Sequence, residues 1–277
     1  MSPAVSTNMI SINQASTETS NTLELLDACA HASVGAVSLW RHQYVGGDAQ
    51  LTRAAMDTRG VVATSLCRGG FFTGTRSQRE ADLDNHQAVE EAAILGAPVL
   101  VLVCGPVTTE GPAAAGRRIV DGIERLLPHA ADHCVKLAVE PFHPMLIAER
   151  SAIVTLAQAT ALVRRFDHTH LGLAVDTYHV WWDPELDQRL VEAAAWITSV
   201  HVGDWLVPTT DLLASRGLPG DGVIELSPLL RQFRQLGYAG PFEVEVLNPE
   251  VWARPPADVV VDIRDRMSSL LQPLGQT

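Results

Sequence analysis

Acidic and histidine side chains stand at the ends of four consecutive strand-like segments in the second half of the chain. Three of these segments, rich in aliphatic residues, end in Glu140, Asp176 and His201. A fourth segment carries Glu245 one residue before its end. Three carboxylates that converge on one pocket repel one another and raise each other's pKa, unless a cation lies between them.

The four side chains therefore predict a site for one divalent metal ion, with Glu140, Asp176, His201 and Glu245 as its ligands. Three oxygen donors and one imidazole suit Mn²⁺ best, with Mg²⁺ and Co²⁺ as alternatives, and they do not suit a thiolate-bound structural zinc. Each residue taken alone is as readily a polar cap at a strand end. The matching positions on four neighbouring strands favour the metal site.

Strand-like and helix-like segments alternate along the whole chain, as in folds that are built from strand–helix–strand units. This pattern predicts an α/β fold of the (β/α)8 TIM-barrel class, with residues 1–277 as one domain. In such barrels the active site lies at the carboxyl ends of the strands, where the four side chains fall. An open dinucleotide-binding sheet is disfavoured, because no glycine-rich fingerprint follows the first strand. The candidate strands are residues 9–15, 36–40, 61–67, 98–104, 136–140, 171–176, 197–201 and 241–246.

The alternation of side chains along the last candidate strand gives a further test of the barrel. Phe242, Val244 and Val246 are apolar, lie on one face and should pack against helices. Glu243 and Glu245 lie on the other face and should point into the barrel. Lys136 has the same inward parity at the start of its strand. We therefore expect an ion pair between Lys136 and Glu243, lower in the barrel than the metal site.

Several segments of the second half resemble the sugar phosphate isomerase/epimerase superfamily, whose members have xylose isomerase-like barrels. This group includes ketose 3-epimerases, hydroxypyruvate isomerase and endonuclease IV. The resemblance covers essentially the whole chain. It is carried by the segments Glu140-Pro-Phe-His-Pro-Met145, Val175-Asp-Thr-Tyr-His-Val180, Val200-His-Val-Gly-Asp204, Gly220-Asp-Gly222 and Gly237-Tyr-Ala-Gly-Pro-Phe-Glu-Val-Glu245.

The resemblance implies that Glu140 and Glu245 are an acid/base pair as well as metal ligands. It implies that Asp176 and His201 complete the ligand set, and that His179 contacts the substrate. The implied reaction is sugar isomerisation or epimerisation, in which an α-proton is removed and an enediolate forms. One glutamate would remove the proton, and the other would return it on the opposite face or at the next carbon.

The chain departs from the epimerase pattern at two positions. Epimerases carry a sugar-binding glutamate shortly after the first metal glutamate, where this chain has Pro144-Met145-Leu146. They carry an arginine after the metal histidine, where this chain has Trp205-Leu206-Val207. The fold and metal site therefore carry over, and the identity of the sugar does not. A metal-dependent lyase or deglycosidase acting on 3-keto-glycosides is the alternative, and a non-catalytic sugar-binding barrel is a third.

Five further residues are candidate substrate contacts around the same rim: His179, His143, Arg68, Trp205 and Trp181. Aromatic faces stack on sugars or on an aglycone, and the arginine suits an anionic or hydroxylated substrate. For His179 substrate contact is favoured over packing within its loop, for His143 the two are balanced, and for Arg68 a solvated surface position is the favoured alternative. The tryptophans would also suit a subunit interface, so we expect a homo-oligomer, a dimer or a tetramer.

Composition limits the partners and the chemistry. The formal net charge of −12 disfavours nucleic acid binding, which needs clustered basic residues. No unbroken apolar stretch is long enough for a membrane span, and Met1–Asn8 does not resemble a secretory signal. The four cysteines are dispersed, which favours reduced thiols and a cytoplasmic location. Lys136, the only lysine, starts its strand at the end away from the site, which disfavours Schiff-base chemistry.

Overall fold

The computed structural model describes residues 9–272, and within them eight parallel strands close into a barrel. The predicted (β/α)8 TIM-barrel class is thereby confirmed. Around the barrel the strands follow the chain order, and the last one pairs with the first. The barrel strands are β1 (Ile10–Asn13), β2 (Ala36–Trp40), β3 (Val62–Gly70), β4 (Val99–Val103), β5 (Lys136–Val139), β6 (Leu171–Asp176), β7 (Ile197–Val202) and β10 (Phe242–Val244). The segment Met1–Asn8 lies outside the described residues.

Helices cover the outside of the barrel, and their ends follow local capping chemistry. Helix α1 begins after Asn21 and α3 begins after Ser77, each with a capping box that satisfies free backbone N–H groups. Helix α3 ends at Gly96 in the left-handed conformation. The helices are α1 (Thr22–His31), α2 (Ala49–Asp57), α3 (Gln78–Leu95), α4 (Pro112–Asp132), α5 (Leu156–Phe166), α6 (Thr177–Val180), α7 (Leu186–Ala193), α8 (Leu226–Gln235), α9 (Pro249–Trp252) and α10 (Pro256–Leu270). No helix in residues 9–272 is both long and apolar enough to cross a membrane.

The expected alternation holds in β10, but the expected ion pair does not form. Phe242 and Val244 belong to the core between strands and helices, while Glu243 is buried inside the barrel. Glu243 accepts hydrogen bonds from Ser65 Oγ at 2.8 Å and Ser199 Oγ at 3.1 Å. Lys136 is partly exposed at the opposite rim. The prediction of a Lys136–Glu243 pair is wrong. The carboxylate of Glu243 accepts hydrogen bonds from these hydroxyl groups and lies beside the imidazole ring of His201 instead.

Not every strand is followed directly by a helix. After β7 the chain forms an antiparallel hairpin of β8 (Asp204–Trp205) and β9 (Arg216–Gly217), which the sequence pattern did not predict. Asp204 holds the turn that follows, because one of its carboxylate oxygens accepts from the N–H groups of Gly220 and Gly222, both at 2.9 Å. The hairpin carries Arg216 back across the mouth of the barrel.

Strand β3 is longer than predicted and carries a bulge. Its register against β4 shifts between Cys67 and Gly69, so that Arg68 is the extra residue. Gly70 follows with φ +102°, and a Cβ atom there would lie 2.2 Å from the carbonyl oxygen of Val103. A bulge of this kind redirects a side chain at a barrel rim, and here it is that of Arg68.

Candidate metal centre

Four barrel strands bring the predicted ligands to one point. Asp176 ends β6 and lies opposite His201 of β7, while Glu140 and Glu245 each follow the last residue of their strand. All four are buried, with 6% exposure or less. One ligand atom from each residue lies within 4.8 Å of the others. The arrangement at the carboxyl ends of the strands is the one expected from sequence.

The histidine ring lies between two groups of carboxylates. His201 Nδ1 is 3.4 Å from Glu140 Oε1 and 3.2 Å from Glu245 Oε2, and its Nε2 is 3.2 Å from Glu243 Oε2. Neither ring nitrogen has a hydrogen bond of acceptable geometry, although both are buried. The buried Nδ1, without a hydrogen bond and facing the carboxylates of Glu140 and Glu245, fits a divalent cation with oxygen-rich ligation. Glu243 is placed to fix the ring from its other side.

At this site the buried carboxylates outnumber the positively charged side chains around them. Burial disfavours the charged form of His201, but contacts with Glu140, Glu243 and Glu245 outweigh it and hold its pKa well above the usual value. Burial raises the pKa of Glu140 to about 7, and the charges of Glu245 and Asp176 add to the effect, which His201 opposes. Protonation therefore partly compensates the carboxylates.

Arg216 is the member of this site that the sequence analysis missed. It is 2% exposed, and its Nη1 lies 2.6 Å from Asp176 Oδ2 and 3.5 Å from Glu245 Oε2. Burial would raise the pKa of Asp176, yet the charge of Arg216 and the two nearby histidines, His179 and His201, lowers it. An arginine thus does reach the site, from β9, instead of directly after His201. No motif marked it, because the hairpin that carries it has no periodic signal.

A cleft of about 340 Å³ lies at this site and is lined by two of the four candidate ligands, Glu140 and Glu245. Glu140, Glu245 and Arg216 lie at its floor, and Arg68 lines it as well. Its other lining residues include Arg150, Trp40, Trp252, Phe142 and Leu213. The volume lies in the range of small-molecule sites, and the lining is mainly apolar with a few charged groups, as is usual for such sites.

Two arginines in this cleft have no carboxylate partner. Within residues 9–272, neither Arg68 nor Arg150 forms an ion pair. Burial lowers the pKa of Arg68, and the positive charge of Arg150 adds to that effect. Arg68 also stacks over Phe71, with the guanidinium carbon 4.2 Å from the ring centroid. Two unpaired cations near one apolar cleft attract an anionic group.

The other predicted substrate contacts lie beside the cleft. Trp205 packs in an aromatic cluster with Trp181 at 5.5 Å and His143 at 5.1 Å between ring centroids. His179 is buried beneath Phe142, at 4.3 Å, with its Nε2 3.3 Å from Arg216 Nη2. Of the five candidates only Arg68 lines the cleft, and the contact role of the others stays a prediction. So does the homo-oligomer.

Different tryptophans form the cleft walls. Trp40 donates its indole N–H to Asn13 Oδ1 at 2.7 Å, and Trp252 donates to the carbonyl oxygen of Ala15 at 2.7 Å. Both anchors belong to the end of β1 and the turn after it. The two rings are therefore held in place before any ligand arrives, which reduces the entropy lost on binding.

Binding of a divalent metal should release protons. Near neutral pH the proton on His201 and the partial proton on Glu140 must leave before these groups can act as ligands. We expect the apparent affinity for Mn²⁺ to rise about tenfold per pH unit for each proton released, from about pH 6 to pH 8. Calorimetry in buffers of different ionisation enthalpy measures the number of protons. An affinity independent of pH would contradict this description.

Comparisons with known proteins agree with the fold. The family model for the xylose isomerase-like TIM barrel matches residues 26–270. A 3-dehydroshikimate dehydratase from Pseudomonas putida is 26% identical over 243 residues, which are 84% of this chain. The chain spans only 37% of that dehydratase's length. A ketose 3-epimerase from Arthrobacter globiformis is 23% identical over 219 residues, covering 74% of this chain and 71% of the epimerase.

A solved structure resembles the barrel closely. The crystal structure of protein SMc04130 from Sinorhizobium meliloti is 37% identical to this chain, with a TM-score of 0.91. The match covers 96% of this chain and 100% of that protein.

Proposed function

Because the chain belongs to the xylose isomerase-like TIM barrel family, we propose that it is a divalent-metal-dependent enzyme. In this proposal it removes the proton next to a carbonyl group in a small polyhydroxylated substrate. The observation that carries the proposal is that Glu140 and Glu245 belong both to the candidate ligand cluster and to the cleft floor. A bound metal ion would supply a Lewis acid for the carbonyl oxygen.

Glu140 and Glu245 are the proposed acid/base pair. A substrate above the floor of the cleft is within reach of both carboxylates, since both line it. One carboxylate takes the α-proton, and the electron pair of the C–H bond moves toward the carbonyl oxygen. The second carboxyl group then gives up a proton.

The destination of the second proton decides the product. If it goes to carbon, the substrate is epimerised or isomerised. If it goes to a hydroxyl group on the carbon next to the deprotonated one, that C–O bond breaks, water leaves and a C=C bond forms. The same two residues serve either course, and the substrate in the cleft selects between them.

We favour dehydration of a polyhydroxylated keto acid. Arg68 and Arg150 provide two unpaired cations for a substrate carboxylate, whereas a free ketose has no anionic group. The dehydratase relative supports this choice, and so do the two departures from the epimerase pattern. Sugar isomerisation or epimerisation is the second candidate, supported by the epimerase relative and by the acid/base pair.

An assay with paired substrates tests the proposal. The protein is incubated with 3-dehydroshikimate and, separately, with free ketoses, after removal of metal and again with added Mn²⁺, Mg²⁺ or Co²⁺. Loss of water from 3-dehydroshikimate gives an aromatic dihydroxybenzoate, which near-ultraviolet absorbance detects. We expect this product only with metal. Conversion of ketoses alone would favour the isomerase, and no conversion of any substrate with metal would count against both.

The two arginines should control affinity for an anionic substrate. We expect Arg68→Ala and Arg150→Ala each to raise KM by about 10- to 100-fold, because each removes a charge-assisted hydrogen bond. The value of kcat should change little. Arg189→Ala on the surface of α7 is the matched control and should change neither constant. Unchanged KM values in both cleft variants would show that the substrate carboxylate binds elsewhere.

A further inference from the structure

A second group of metal-ligating side chains lies on the outer layer of the barrel. Helix α3 carries His86 and Glu90 four residues apart, and at the same spacing α4 carries His129 and ends at its C-terminal cap, His133. Residues four apart share one face of a helix. The two faces meet where α3 packs against α4, away from the cleft, so this cluster is independent of the proposed function.

The rings and the carboxylate converge. One ligand atom each from Glu90, His129 and His133 lie within 4.8 Å of one another. His129 Nε2 is 3.5 Å from Glu90 Oε1, is shielded from solvent and has no hydrogen-bond partner. His86 stacks on His129, with ring centroids 4.3 Å apart and an angle of 19° between planes. The stacked ring restricts the movement of His129.

A backbone contact fixes the tautomer of one histidine. His133 Nδ1 lies 2.9 Å from the carbonyl oxygen of His129, so Nδ1 carries the proton and donates it. The lone pair of His133 is then on Nε2, the geometry commonly found in histidines that bind metal through that atom. Both histidines lie at the C-terminal end of α4, where the helix dipole and the free carbonyl groups favour a cation.

We propose that Glu90, His129 and His133 form a second metal site, which takes a zinc-type cation and links α3 to α4. Two imidazole nitrogens and one carboxylate are a common three-residue ligand set for zinc, with water as the fourth ligand. The set also suits Co²⁺, Ni²⁺ and Cu²⁺, and it suits Mn²⁺ and Mg²⁺ poorly. The barrel site, with three carboxylates, has the opposite preference.

A simple ion pair between Glu90 and His129 is the competing explanation. Such a pair is normally closed by a charge-assisted hydrogen bond of about 2.7–2.9 Å. Here His129 Nε2 and Glu90 Oε1 are 3.5 Å apart, and the buried nitrogen has no hydrogen-bond partner. Two ligand atoms that each lie about 2.1 Å from one tetrahedral zinc ion are separated by about this distance.

Metal content measured by equilibrium dialysis against micromolar Zn²⁺ tests the proposal. We expect the double variant His129→Ala/His133→Ala to hold one Zn²⁺ fewer per chain than the wild type, with its activity toward the assay substrate unchanged. The matched control, His168→Ala/His170→Ala, removes two histidines from the loop before β6 and should keep the wild-type zinc content.

A milder variant keeps the test valid if the double variant fails to fold. Glu90 is exposed, so Glu90→Gln should fold normally, and we expect it to weaken Zn²⁺ binding at this site by about tenfold or more. Equal zinc content and affinity in the wild type and Glu90→Gln would overturn the proposal. So would occupancy of this site only at millimolar Zn²⁺, which would mark the cluster as an adventitious surface chelate.

Discussion

Glu140→Gln and Glu245→Gln should each lower kcat by about 10²- to 10⁴-fold, the contribution that a general acid or base makes to catalysis. Glutamine has nearly the same shape as glutamate and keeps an oxygen that can ligate a cation, but it cannot exchange a proton. Metal affinity should therefore fall less than turnover. The assay for loss of water or for ketose conversion gives kcat, and calorimetry gives the Mn²⁺ affinity of the same samples.

A matched control shows whether replacing a glutamate outside the site by glutamine is enough to change kcat or metal affinity. Glu250 is an exposed glutamate in the first turn of α9, after the last barrel strand, and Glu250→Gln should leave both kcat and metal affinity unchanged. Near-normal kcat in Glu140→Gln and Glu245→Gln together would refute the acid/base assignment. Loss of kcat in only one of them would mean that a single carboxylate transfers both protons.

Arg216→Ala should lower the free energy of unfolding by about 3–5 kcal/mol, the usual consequence of removing one partner of a buried ion pair. Asp176 is 0% exposed, and its carboxylate would lose the partner 2.6 Å away. Urea denaturation measures the loss. Added Mn²⁺ should restore part of the stability of the variant, because a cation bound by Asp176 and Glu245 compensates the same carboxylates.

An exposed ion pair provides the reference for this effect. Arg118 lies 2.7 Å from Glu110, and both side chains are about half exposed. Arg118→Ala should cost less than about 1 kcal/mol, since water screens exposed pairs. If Arg216→Ala and Arg118→Ala had similar effects, the buried carboxylates of the barrel would not depend on Arg216.

The four candidate ligands could be predicted from sequence because their positions follow from strand geometry. In a parallel barrel the carboxyl ends of all strands meet at one rim, so Glu140, Asp176, His201 and Glu245 converge once the strands are recognised. Arg216 could not be found in this way, because it reaches the site through a hairpin. The path of that hairpin depends on Asp204 and the turn it holds, and no periodic pattern of the chain encodes this path.

The cleft walls show the same division between strands and loops. Four tryptophans lie at or beyond strand ends near the rim, but only Trp40 and Trp252 of these line the cleft, while Trp181 and Trp205 pack in an aromatic cluster beside it. The position of a side chain beyond the strand end depends on the loop, and on anchors such as Asn13 that come from elsewhere in the chain. Spacing along the sequence contains little of that information.

The exchange of substrate protons with solvent is the central test, because every course of the proposed reaction begins with the same proton transfer. The wild-type protein in deuterated water with Mn²⁺ is incubated with ketoses and with 3-dehydroshikimate, and recovered material is examined by mass spectrometry. We predict metal-dependent deuterium uptake at the carbon next to the carbonyl group, or an elimination product, for at least one substrate. Saturation of the barrel site with metal, with neither exchange nor product for any substrate, would contradict the proposed function.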